Sequence, residues 1–107
     1  MGPINASSAV DIFNSVRAGA SGAASRLERG HVSEARILAS AAREGLAHRE
    51  LRAALPSLSL DLAKASMDDV IDLTRNLSDT PGRPAQAVGN ATSAVRLLDR
   101  MASRLPR

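Results

Sequence analysis

Apolar residues in this chain recur at alternating three- and four-residue steps, and no other feature constrains its fold as strongly. Phe13, Val16, Ala20, Ala23 and Leu27 form one such series. Val88, Ala91, Val95, Leu98, Ala102 and Leu105 form another, over almost three heptads. An α-helix turns every 3.6 residues, so these steps lay one apolar stripe along one face. Strand-like alternation is confined to Leu58, Leu60 and Leu62, and no second segment is there to pair with it. The spacing predicts an all-α fold, a compact antiparallel helical bundle of four to five helices. Its 107 residues suit one domain, spanning 1–107, with residues 1–7 as a flexible N-terminus.

Helix signals punctuate this pattern. Ser8-x-x-Asp11 reads as a capping box that opens the first helix, and Gly30 ends it. Gly19 and Gly22 fall inside it and either kink the helix or let a neighbouring backbone come close. The second helix starts at Ser33, with Val32 and Ile37 spaced for a hydrophobic staple, and ends in a left-handed cap at Gly45. A short third helix over residues 47–55 buries Leu51, Ala54 and Leu55 before Pro56 stops it. Residues 57–65 read as an irregular turn or a short helix. Ser66-x-x-Asp69 then opens another, with Asp68 and Asp69 facing the positive end of its dipole. Met67, Val70, Ile71, Thr74 and Leu77 supply its buried face. Residues 78–84, SDTPGRP, are the one clear loop, and Pro84 takes the first position of the last helix.

Composition narrows function mostly by exclusion. Hydrophobic residues make up 44% and charged residues 23%, a globular balance. With one Phe and no Tyr or Trp, the core is built from aliphatic residues and Ala, so it buries little area per residue. There is no Cys for a disulfide or thiolate site. No apolar run approaches a membrane span, and no signal-peptide core follows Met1. The net charge of +3 is segregated. Residues 17–56 hold seven Arg against four Glu; residues 57–82 hold Lys64 and Arg75 against five Asp; residues 83–107 hold five Arg against Asp99. Two basic zones around an acidic one read either as complementarity within the chain or as a surface facing an anionic partner.

Nothing in the sequence assembles a catalytic site. His31 stands beside a helix-ending Gly and His48 in the first turn of a short helix, neither with a nucleophile in view. Asp68, Asp69 and Asp72 share one turn without a His, too loose a set for a divalent cation. No glycine-rich loop follows a strand. We therefore expect no catalytic residue, no metal and no cofactor.

The segment 37–55 (ILASAAREGLAHRELRAAL) is the candidate binding region. Ala41, Gly45 and Leu51 have helix-turn-helix spacing, with Arg49 and Arg52 able to reach phosphates. However, Ser40 and Glu44 break the apolar seat, Pro56 truncates the second helix, and no Asn or Gln is placed to read bases, so nucleic acid is not the expected partner. Ile37-Leu38, Gly45, Leu51, Arg52, Ala54 and Leu55 resemble the kinase-binding modules of the AvrPtoB/HopAB family of plant-pathogen type III effectors. Leu60-Asp61-Leu62 and Arg100-Met101 are similar to further pieces of that pattern, whereas residues 1–30 lie outside it. The resemblance implies an aromatic-poor helical bundle, delivered by a type III system, that binds a host kinase-like protein. Arg43, Leu46, His48, Arg49, Leu51 and Arg52 also put apolar and cationic groups together at the tip joining helices two and three. That mixture suits either a protein contact or insertion into an anionic membrane surface. These six residues are the predicted site.

Overall fold

The computed structural model of the chain describes residues 5–75, 77 and 84–105, with side chains from Ala9 onward. Five α-helices follow in chain order: α1 (Asn5–Glu28), α2 (Val32–Leu46), α3 (Arg49–Ala54), α4 (Ser57–Thr74) and α5 (Ala85–Met101). The last runs on into a 3-10 turn at Ala102–Arg104, and no strand occurs among the described residues.

The four long helices close a ring in which α1 packs on α2, α2 on α4, α4 on α5, and α5 back on α1. Their directions follow from particular contacts. Gly19 lies against Leu38 and Ala42 while Gly45 lies against Val16, so α2 runs antiparallel to α1. Arg36 reaches Thr74 while Arg43 reaches Asp68, so α4 runs antiparallel to α2. Leu73 and Leu77 share a hollow with Ala85 and Ala87, which starts α5 beside the end of α4 and sends it back along that helix. The result is an up-down-up-down bundle, with α3 packed against α1 at the end where α2 hands over to α4.

The first predicted stripe is wholly buried: Phe13, Val16, Ala20, Ala23 and Leu27. Of the second stripe, Val88, Ala91 and Leu98 are buried in α5 and Val95 only partly so, while beyond the helix end Ala102 is exposed and Leu105 partly buried. Ala87, Ala94 and Met101 complete that face instead. A strict heptad slips about 20° per repeat on a straight helix, so a seven-residue series drifts off the core side. Much of the core is Ala, from Ala20 and Ala23 through Ala35, Ala39 and Ala42 to Ala91 and Ala94. Small side chains let the helix axes come close.

Several boundaries differ from expectation. α1 starts at Asn5, a turn ahead of Ser8, so residues 5–7 are helical; residues 1–4 lie outside the described residues. Gly30 does close the first helix, two residues beyond its end at Glu28, with φ 80°, a conformation that favours glycine. Gly45 is not a left-handed cap: it is helical, and α2 continues to Leu46 with Ala47 as its C-cap. Val32 is buried but Ile37 is 70% exposed, so Ile37 stands away from the core instead of closing a staple over it. α4 begins at Ser57, nine residues before the expected start at Ser66, because Leu60, Ala63, Met67, Val70 and Thr74 form one continuous helical stripe. Of the expected loop, residues 78–83 lie outside the described residues. Pro84 is the N-cap of α5, its carbonyl accepting from Val88 N at 3.0 Å, one position earlier than predicted.

Candidate functional site

The α2–α3 corner places the six predicted residues in three different roles. Leu46 and Leu51 are fully buried and belong to the core, so neither is an exposed anchor. Arg43 pairs with Asp68 on α4, and Arg52 pairs with Asp61 at 2.7 Å while also donating to the Leu46 carbonyl at 3.4 Å. His48 is the N-cap of α3, its Nδ1 accepting from Glu50 N at 3.2 Å. Of the six, His48 and Arg49 are exposed with no ion pair among the described residues, and His48 is engaged in capping α3. Apolar insertion of this tip into lipid is thereby corrected, since its leucines hold the bundle together. A recognition helix is equally unsupported: α3 has six residues, and Leu51 turns it towards the core.

The segregated charges are answered in part within the chain. Besides Arg43–Asp68 and Arg52–Asp61, Arg17 of α1 reaches Asp99 of α5 at 2.6 Å. The hydrogen bond from Arg17 holds the Asp99 carboxyl below its ordinary range, and the same bond raises the arginine. Arg36 donates to the Thr74 and Leu77 carbonyls, putting a cation where the end of α4 leaves carbonyls unmet. Asp68, Asp69 and Asp72 lie mid-helix, not at a helix start, with Asp72 paired to Arg75 at 2.9 Å. No group of three metal-ligating side chains occurs among the described residues.

What the corner does create is a groove. A Cβ at Gly45 would fall inside the van der Waals shell of Val16 Cγ2, so the missing side chain lets α2 settle onto α1. Beside that contact an open groove of about 300 Å³ is lined by Asp11, Ile12, Ser15 and Val16 of α1 with Ala41, Gly45 and His48. A larger cleft of about 470 Å³ between α2 and α4 is lined by Ser40, Glu44 and Ile71 together with the paired Arg43, Asp68, Asp72 and Arg75. Four of its charged groups are committed to one another, and Glu44 is exposed without an ion pair among the described residues. Of the groove residues the sequence reading had His48; Asp11, Ile12, Ser15 and Ala41 were missed. The available signal was glycine within both helices, Gly19 and Gly22 in α1 and Gly45 in α2, small residues that mark a close helix crossing.

The chain matches no family model, no curated protein and no solved structure. The residues that resemble the effector modules mostly build this bundle: Leu51, Leu55, Leu60 and Met101 are buried, Leu38 packs over Gly22, and Arg52 and Asp61 pair with each other. Ile37, Leu62 and Arg100 are exposed.

Proposed function

We propose that this chain is a recognition module of a type III secreted bacterial effector, and that it engages a host kinase-like protein through the groove between α1 and α2. The observation that carries this reading is the groove at Gly45. Its walls are mostly aliphatic, and its two sides are helices fixed by a shared core. A pocket of this size seats an apolar anchor of a partner, with Asp11, Ser15 and His48 as polar groups around it. One wall, from Ala41 to His48, belongs to the segment that resembles the kinase-binding modules, which supplies the class of partner.

Ala41 is exposed on a helix, so Ala41→Glu puts a carboxylate into the groove without entering the core. Surface plasmon resonance against a panel of purified plant receptor-like kinase domains tests the reading. At least one domain should bind saturably, and Ala41→Glu should weaken it by about 30-fold, roughly 2 kcal/mol, with circular dichroism and melting unchanged. Silence across the panel, or equal binding by the variant, contradicts the proposal.

A further inference from the structure

The end of the bundle where α4 begins and α5 finishes carries two features that the groove does not use. Leu58 and Leu62, one turn apart on α4, are 72% and 50% exposed. They form an exposed aliphatic pair on a helix whose own core face is complete. On α5 and the 3-10 turn that follows it, Arg96, Arg100 and Arg104 recur every fourth residue, all exposed and with no ion pair among the described residues. Because α5 runs antiparallel to α4, Arg100 and Arg104 come to the same end as Leu58 and Leu62. Arg49 at the start of α3 adds a further unpaired cation there.

Most of the acids near this end are engaged elsewhere, and the exposed Glu44 lines the α2–α4 cleft. Asp61 is held by Arg52 and Asp99 by Arg17. Glu50 is partly buried, and Asp11 faces the α1–α2 groove. Exposed leucines and unpaired arginines at one end of the bundle supply the two requirements of interfacial docking, an apolar wedge and cations at headgroup level. We propose that this end of the bundle docks onto an anionic lipid surface, with Leu58 and Leu62 entering the interface and Arg100 and Arg104 meeting lipid phosphates or carboxylates. No helix among the described residues is long and apolar enough to cross a membrane, so the contact is peripheral.

Co-sedimentation of the 107-residue chain with phosphatidylcholine vesicles, with and without phosphatidylserine, tests this directly. The chain should bind only the phosphatidylserine vesicles, and added salt should weaken binding. Arg100→Ala with Arg104→Ala should lower affinity by about fivefold per arginine. Leu58→Ser with Leu62→Ser should also weaken binding but leave its salt dependence in place. All four side chains are exposed, so circular dichroism should show the variants folded. Failure to bind phosphatidylserine vesicles, equal binding to neutral ones, or indifference to both double variants overturns the proposal. So does a concentration-dependent dimer lost in Leu58→Ser/Leu62→Ser, which would show a second copy covering the face. Binding to soluble polyglutamate without vesicle binding would assign the cations to an acidic protein and overturn it equally.

Discussion

A methyl group at position 45 would press on the Val16 side chain, which is itself buried and β-branched and therefore has few rotamers to retreat into. In an open helix, replacing Gly by Ala gains up to about 1 kcal/mol. Here we expect Gly45→Ala to lose about 1–3 kcal/mol from overpacking, and to lose much less in a Val16→Ala background. Chemical denaturation of the two single variants and the double variant measures that coupling; additive costs would mean that the helices do not meet at this point. Asp99 makes a prediction of a different kind. Arg17 holds its carboxyl below the ordinary range, so the stabilisation is present at neutral pH and disappears as pH falls through that lowered range. The difference in melting temperature between wild type and Asp99→Asn should therefore shrink to nothing in acid. A difference that persists there would assign the effect to something other than the Arg17 pair.

At the scale of elements, α4 shows how two true local signals mislead. Leu58, Leu60 and Leu62 alternate like a strand, and Ser66-x-x-Asp69 has the form of a helix start. Tertiary burial decides otherwise, since Leu60 and Ala63 continue the same stripe as Met67 and Val70 and only a helix from Ser57 buries all four. Ser66 consequently caps nothing, and Ser66→Ala should change stability by less than about 0.5 kcal/mol, against about 1 kcal/mol for loss of a working N-cap. A larger loss in a denaturation curve would restore a break at that serine. Gly45 misled for a related reason: glycine ends helices and also permits close crossings, and only the position of Val16 separates the two. The stripes of α1 and most of α5 were legible because periodicity reports burial directly. Which exposed residues share a groove was not legible, because Asp11 and Ala41 meet only once α1 and α2 pack.

Across the whole molecule, one arrangement accounts for stability and for the proposed binding surface together. A core rich in Ala brings α1 and α2 close, Gly45 brings them closest at their end of the bundle, and the groove opens beside that contact. Leu46 and Leu51, which looked like binding residues, do the structural part of that work, while Ala41 and His48 remain exposed on the rim of the groove. The most direct measurement is to titrate the isotope-labelled chain with a receptor-like kinase domain of the proposed partner class and to follow backbone amide shifts by nuclear magnetic resonance. Shifts concentrated at residues 11–16 and 41–48, with α5 amides unchanged, are the predicted result. Shifts confined to the outer faces of α4 and α5, with residues 11–16 and 41–48 silent, would contradict it.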